Sequence, residues 1–155
     1  MTFNIVILKN IMDKVRNDPA LAPVKNADGT TTTFCNFNAY NIAKALGLNM
    51  FWNSEANRPM MANEAVDYML TNPARFLCFH NHLSAFTLVN QGHLVFAALK
   101  NTPHGHIVPV YPSVGMETSG KWMAQVPYCS NVGARNDIMG LNYAFADVPC
   151  YYLTI

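Results

Sequence analysis

Apolar side chains recur at helical spacing in the first part of the chain. Over residues 3–16 they form one face of a helix. A second stripe begins at Cys35, where Thr33 is suited to cap the helix start and Gly47 to follow its end. We therefore expect two amphipathic helices, whose apolar positions are Ile5, Leu8, Ile11, Met12 and Val15 in the first and Cys35, Ala39, Ile42, Ala43 and Leu46 in the second.

Two more helices are expected between residues 61 and 90. Residues 61–70 predict a helix that ends at Asn72-Pro73, because proline cannot continue it. Residues 82–90 have an ambiguous pattern that slightly favours a helix. The intervening residues 17–29 and 48–60 predict loops.

The pattern changes after residue 92, where short β-prone runs are separated by turn residues. Helices first and strands later indicate an α+β fold, with an antiparallel sheet of four to six strands made largely by the C-terminal half. We expect one catalytic domain over residues 1–155. Pro109 interrupts the second run, so that strand should be short, bulged or unpaired there. The four runs are residues 93–99, 106–111, 121–128 and 150–155.

Composition narrows the classes of partner. Apolar residues make up 51% of the 155 residues, which is typical of a globular protein, whereas charged residues make up only 12% and the net charge is +1. A nucleic-acid-binding surface needs concentrated lysine and arginine, so nucleic acid is not expected. The 18 asparagines supply polarity without charge and suit a neutral, hydrogen-bonding substrate.

The start of the sequence predicts neither a signal peptide nor a membrane span. Its apolar run at residues 3–8 follows no basic stretch and is far shorter than the ~20 residues of a spanning helix. A protein of this kind acting outside the cytoplasm needs another route of release.

Cys35 is the strongest candidate for chemistry. It stands in the first turn of the second helix, where the helix dipole and free backbone N–H groups lower the pKa of a thiol. A nucleophilic cysteine also needs a base, usually a histidine brought near by the fold. The alternative is that Cys35 is an ordinary core cysteine. We expect Cys78, Cys129 and Cys150 to be ordinary core cysteines, that is, small buried residues that form no disulfide bonds.

His106 and Asn131 are the candidate partners of Cys35. His106 opens a predicted strand, and Gly105 before it would let another backbone segment approach closely. Asn131, in the stretch CSNVG, could orient an imidazole by a hydrogen bond and so fix its tautomer. Gln125 could take that role instead, or the site could be a Cys–His pair that needs neither.

These residues resemble a known family in their order and context. The stretch TFCNFNAYNIAKALG (residues 33–47) resembles the nucleophile helix of papain-like cell-wall peptidases of the NlpC and CHAP type. Residues 91–112 resemble their paired strands, with a histidine strand led by Gly-His, and SNVG resembles the segment that supplies the third residue. The resemblance covers residues 30–155 and extends to phage lysins and to the small amidase effectors of type VI secretion.

The resemblance implies a fold and a mechanism. The fold would be that of papain-like cell-wall hydrolases, with N-terminal helices packed on the sheet. Cys35 would be the nucleophile, His106 the general base and then acid, and Asn131 the orienting residue. Backbone N–H groups near Cys35 and Asn36 would form the oxyanion hole. No metal and no cofactor would be required.

It also implies a substrate and a setting. The substrate would be a peptidoglycan stem peptide, cut at an amide bond through a thioester, either by an endopeptidase or by an N-acetylmuramoyl-L-alanine amidase. The protein would act on the cell wall, delivered by a phage or a secretion system, as a monomer. An immunity protein would be a partner only if the chain were an effector. Trp52, Tyr111 and Trp122 would flank the substrate groove or simply anchor loops.

Two other functions compete with this interpretation. His80 and His82, like His104 and His106, form an HxH unit that in a strand directs both imidazoles to one face, as a zinc-dependent endopeptidase would need. A separate His and Asp ligand is not evident in the sequence. The chain could also be an inactive domain that binds peptidoglycan or a protein.

Overall fold

The computed structural model describes residues 1–155 and shows an α+β fold. The four predicted helices are confirmed within a few residues of their expected ends, including the ambiguous segment at residues 82–90. The helices are α1 (Ile5–Arg16), α2 (Cys35–Ala45), α3 (Ala62–Thr71), α4 (His82–Asn90) and the single turn α5 (Leu141–Ala144), with a 3-10 turn at Pro19–Leu21.

Twelve strands accompany the helices, most of them short. The predicted runs at residues 93–99, 106–111 and 150–155 each contain a strand, whereas residues 121–128 divide between two strands at Pro127. The strands are β1 (Val24–Lys25), β2 (Thr31–Thr32), β3 (Trp52–Asn53), β4 (Arg58–Pro59), β5 (Phe76–Phe79), β6 (Val95–Leu99), β7 (His106–Pro109), β8 (Glu117–Ser119), β9 (Ala124–Val126), β10 (Tyr128–Asn131), β11 (Asp137–Gly140) and β12 (Cys150–Thr154).

The main sheet has four antiparallel strands in the order β5-β12-β6-β7. Three of them come from the C-terminal half, as expected, and β12 lies between β5 and β6. The edge strand β5 was not predicted. The segments expected to be loops contain two further small hairpins, β1–β2 and β3–β4.

Helices and sheet share one core of 30 buried residues that extends from α1 to β12. At its centre the Phe51 ring packs edge-on against Phe96, with ring centroids 5.1 Å apart, and lies beside Phe76 on β5. Phe51 has a positive φ of 62°, a backbone conformation that residues other than glycine rarely adopt. The packing of its ring against the two phenylalanines holds the backbone in this conformation. The segment between α2 and α3 is thereby anchored to the sheet.

The two ends of α2 differ in how well the sequence predicted them. Gly47 follows the helix with φ 76°, and the next amide donates to the Ala43 carbonyl at 2.9 Å, which is the expected glycine termination. The prediction that Thr33 caps the start is wrong. Phe34 occupies the cap position and offers no side-chain hydrogen bond.

Pro109 ends β7, which agrees with the expectation of a short strand. It pairs with Phe96 of β6 on one side. On the other side, pairing with β10 begins only at the next residue, through the Val110–Cys129 bridge and the Tyr111 amide. The β10–β11 hairpin therefore joins the sheet beyond the proline and lies alongside the histidine strand.

Candidate active site

Cys35 and His106 lie on two elements that pack against each other, α2 and β7. The Cys35 side chain lies near the backbone amide of Ile107, the residue after His106, but no hydrogen bond joins the thiol to the imidazole. Only 8% of Cys35 is exposed. The nucleophile and the base expected from the sequence thus lie at the junction of one helix start and one strand start.

Burial raises the pKa of the Cys35 thiol above its ordinary value. The backbone amides of Ile107, Asn36 and Cys35 act in the opposite direction, as expected for a helix start, but burial has the larger effect. The expectation of a net lowered pKa is therefore wrong. Cys35 is therefore favoured as a thiol, and in the role of nucleophile it would need a base to remove its proton.

Asn131 fixes the orientation of the His106 ring. The Asn131 Oδ1 and His106 Nε2 atoms are 2.8 Å apart, and the Asn131 amide nitrogen donates to the Arg135 carbonyl at 2.6 Å. A nitrogen that faces a carbonyl must be the donor, so Oδ1 is the atom directed at the imidazole and accepts from Nε2–H. This tautomer leaves Nδ1 of His106 unprotonated, as a general base requires.

His106 is held neutral by its surroundings. Burial lowers its pKa, while the hydrogen bond that Nε2–H donates to Asn131 partly opposes this shift. The Phe145 ring packs at 5.1 Å between centroids and covers the imidazole. Burial therefore favours the neutral form of both the Cys35 thiol and the His106 imidazole.

The uncapped start of α2 leaves backbone donors near the nucleophile. The first helical bond to Phe34 is made by the Asn38 amide, at 3.0 Å, so the amides of Cys35, Asn36 and Phe37 precede the helical ladder. With no side-chain cap at Phe34, they can donate to an oxygen bound beside the thiol. The missing cap, unexpected from the sequence, is what an oxyanion site at this position needs.

Two grooves meet beside the candidate residues. The larger, of about 740 Å³, is bordered by Cys35 and Asn36 and is lined mainly by hydroxyl and amide side chains of uncharged residues. The smaller, of about 260 Å³, is bordered by His106 and Asn131. Thr33 lines both, so the nucleophile and the base open onto adjoining parts of one surface.

Gly105 allows the close approach that its position before His106 suggested. A Cβ atom at this residue would lie 2.6 Å from the Leu99 carbonyl and 2.3 Å from the Asn63 side chain. No larger residue fits without displacing β6 or α3, so the glycine determines where β7, and therefore the imidazole, begins.

Asn38 is a buried polar residue beside the candidate site that the sequence pattern did not single out. It is fully buried and donates to the Ser130 carbonyl at 3.0 Å, which joins α2 to the residue before Asn131. Its spacing of three from Cys35 placed an amide on the buried side of the helix. That polar residue beside an apolar stripe was the available signal.

Several other candidates lie away from these grooves. Gln125 is exposed and donates to Thr118, so Asn131 is the residue that meets His106. Trp52 packs on Tyr40, and Trp122 stacks on His82 at 6.0 Å between centroids. Tyr111 is buried and donates to Asp13, and burial followed by this carboxylate raises its pKa to about 12. These aromatic residues anchor structure and do not line either groove.

The HxH histidines do not form the metal set required by the zinc alternative. His82 contacts the Tyr151 hydroxyl, His106 contacts Asn131, and His104 lines the larger groove. His80 instead lies with Cys78 and Cys150 in the only group of three metal-binding side chains. These histidines therefore do not form the ligand set that the zinc-dependent alternative requires.

The cysteines outside the site differ in burial. Cys129 is fully buried as expected, and burial strongly raises its pKa. Cys78 is exposed and Cys150 is partly exposed, so the expectation of burial is wrong for these two. All four cysteines are free thiols.

None of the helices combines the length and the apolar character that crossing a membrane requires. No known protein family matches the chain, and no curated protein is detectably similar to it.

Proposed function

We propose that the protein is a cysteine hydrolase that cuts amide bonds in peptidoglycan stem peptides. The observation that carries the proposal is the His106–Asn131 contact of 2.8 Å on the strand that packs against the helix beginning at Cys35. Asn131, itself fixed by the Arg135 carbonyl, presents the imidazole with Nδ1 free. We also propose that the arrangement of α2 against β7 belongs to a papain-like cell-wall hydrolase fold.

The first half of the reaction forms a thioester. Nδ1 of His106 takes the proton of the Cys35 thiol as sulfur attacks the carbonyl carbon of the substrate amide. The resulting oxyanion accepts hydrogen bonds from amides at the start of α2, around Cys35 and Asn36. The tetrahedral intermediate collapses as protonated His106 gives its proton to the leaving amine, and the C–N bond breaks.

The second half restores the enzyme. His106 takes a proton from water, and the resulting hydroxide attacks the thioester carbonyl. The C–S bond breaks, the Cys35 sulfur regains a proton from His106, and the carboxylic acid product leaves. Asn131 accepts from Nε2–H throughout and stabilises the imidazolium in both halves.

The groove chemistry supports a neutral peptide as substrate. The larger groove carries threonine hydroxyls at residues 30–33 and amides of Asn36 and Asn63. These groups can satisfy the amide and hydroxyl groups of a stem peptide without a charged partner. The choice of peptidoglycan rests on the sequence resemblance, as does delivery by a phage or a secretion system.

The test is digestion of purified Gram-negative peptidoglycan, with products identified by mass spectrometry. Wild-type protein should release new muropeptides, whereas Cys35→Ala should release none and keep the wild-type circular dichroism spectrum. Thr87→Ala is the control, because Thr87 is an exposed side chain on α4 that lines neither groove, and it should digest normally. The mass of the products identifies the bond that is cut.

Two outcomes would overturn the proposal. Undiminished hydrolysis by Cys35→Ala would show that another group is the nucleophile. Binding to peptidoglycan without products from wild-type protein, across several pH values, would instead favour an inactive binding domain.

A further inference from the structure

Three soft or borderline metal ligands converge at the edge of the main sheet opposite the histidine strand. The sulfurs of Cys78 and Cys150 and a ring nitrogen of His80 all lie within 4.8 Å of one another. Cys78 belongs to the edge strand β5, and Cys150 begins the neighbouring strand β12. Because the sheet order is β5-β12-β6-β7, strand β6 lies between this cluster and the strand that carries His106.

The strand register explains why these side chains meet. Cys78 pairs with Tyr152 and Phe79 pairs with Tyr151, so the antiparallel register places His80 opposite Cys150. Side chains two residues apart on a strand share a face, which puts Cys78, His80 and Cys150 on the same side of the sheet. The grouping is thus a consequence of the pairing and needs no unusual loop.

We propose that Cys78, His80 and Cys150 form a binding site for a thiophilic divalent metal ion, with Zn²⁺ as the expected ion. Two thiolates and an imidazole are a ligand set that zinc binds tetrahedrally, with water or another ligand in the fourth position. Bonds of about 2.3 Å at a tetrahedral angle place two zinc-bound sulfurs ~3.8 Å apart. The exposed Cys78 and His80 side chains can reach this geometry by small rotations.

A disulfide fits the register less well than a metal. Cys78 and Cys150 are diagonal neighbours on adjacent strands, and diagonal Cβ atoms are typically ~7 Å apart or slightly less. A disulfide needs Cβ atoms at about 3.5–4.5 Å. An ion between the two sulfurs spans the larger separation without moving the strands.

Tyr152 supplies an outer contact of the kind that metal ligands commonly have. Tyr152 pairs with Cys78 and lies two residues from Cys150, so its buried side chain is on the same face of the sheet as both thiols. A hydroxyl in this position donates to a thiolate and orients it. The bound metal would hold β5 against β12, and the hydrolysis proposed above does not depend on it.

The test uses untagged full-length protein, stripped with a chelator and then titrated with Zn²⁺ or Co²⁺. We expect one zinc per chain by elemental analysis, a sulfur-to-cobalt charge-transfer band and a higher thermal midpoint with zinc. Cys78→Ser and Cys150→Ser should each lose the charge-transfer intensity from one sulfur and weaken zinc binding at least tenfold. His80→Ala should weaken it similarly.

Two matched variants separate this proposal from the hydrolase proposal. The Cys35→Ala variant lacks the candidate nucleophile but should still bind one zinc ion per chain. The His104→Ala variant lacks a different exposed histidine and should also bind one zinc ion per chain. If Cys78→Ser and Cys150→Ser both still bound one zinc ion per chain as tightly as the wild type, the proposed site would be refuted. So would a Cys78–Cys150 disulfide found by non-reducing peptide mapping of protein that takes up no metal.

Discussion

Replacing Asn131 tests the geometry of the candidate site more sharply than removing the nucleophile does. Asn131→Ala deletes the acceptor that holds Nε2–H of His106 and leaves Cys35 and the grooves in place. Asn131→Asp keeps an acceptor at the same position but adds a negative charge. The two variants therefore perturb the same contact in opposite electrostatic directions.

The expected loss in Asn131→Ala follows from the change in the hydrogen bond during the reaction. A neutral hydrogen bond contributes about 1 kcal/mol, whereas one from a charged donor contributes about 1.5–3 kcal/mol. The bond strengthens as His106 becomes an imidazolium, so the transition state loses about 0.5–2 kcal/mol more than the ground state does. This corresponds to a decrease in kcat of roughly 2- to 30-fold.

The pH dependence of kcat tests the direction in which each variant shifts the pKa of His106. Activity requires neutral His106, so the acidic limb of the rate profile reports its pKa, which burial places below the ordinary value. The Asn131 hydrogen bond raises that pKa, so Asn131→Ala should move the limb to lower pH. Asn131→Asp should move it to higher pH, by about 1 unit or more, because the carboxylate stabilises the imidazolium.

The assay is release of primary amine from purified muropeptides, with kcat measured across the pH range for wild type and both variants. If the acidic limb of the rate profile lay at the same pH in all three proteins, the reasoning would be refuted. The titrating group would then not be a histidine in contact with residue 131. An unchanged kcat in Asn131→Ala would show that a Cys–His pair suffices.

Two further substitutions test the packing that positions the site. Gly105→Ala should lower the free energy of unfolding by about 1–3 kcal/mol, because its Cβ would overlap the β6 backbone, whereas Gly115→Ala, with open space around it, should be nearly neutral in thermal denaturation. Asn38→Ala should cost a similar 1–3 kcal/mol by leaving the buried Ser130 carbonyl unpaired, and it should also reduce kcat. Asn41→Ala, three residues further along the same helix, is its control, and equal effects of the two would contradict a positioning role for Asn38.

Local pattern was sufficient to predict the elements that carry the site. The apolar stripe located Cys35 at the start of α2, and the β-prone run located His106 at the start of β7. Asn131 lies beyond the predicted run at residues 121–128, and the structure places it at the end of β10. The glycine before His106 was correctly interpreted as a point of close backbone approach. Each of these features depends on residues that are near one another in sequence.

Features that depend on distant residues could not be predicted. The strand β5 is only four residues long. An apolar run of that length fits a strand, a buried helix or a loop equally well, and only its pairing with β12 identifies it as a strand. The pKa of Cys35 rises because α2 is covered by β7, which the position of a helix start does not reveal. The cluster of Cys78, His80 and Cys150 likewise exists only through strand register.

The central position of β12 has a consequence for biosynthesis. Because a ribosome delivers the chain from its N-terminus, β5 emerges long before the strand that pairs with it, and β6 has one unpaired edge until then. Both exposed edges offer backbone donors and acceptors to other nascent chains. Slow translation or limited chaperone capacity should therefore reduce the soluble yield, and a substitution that weakens β12 should act mainly on yield during expression.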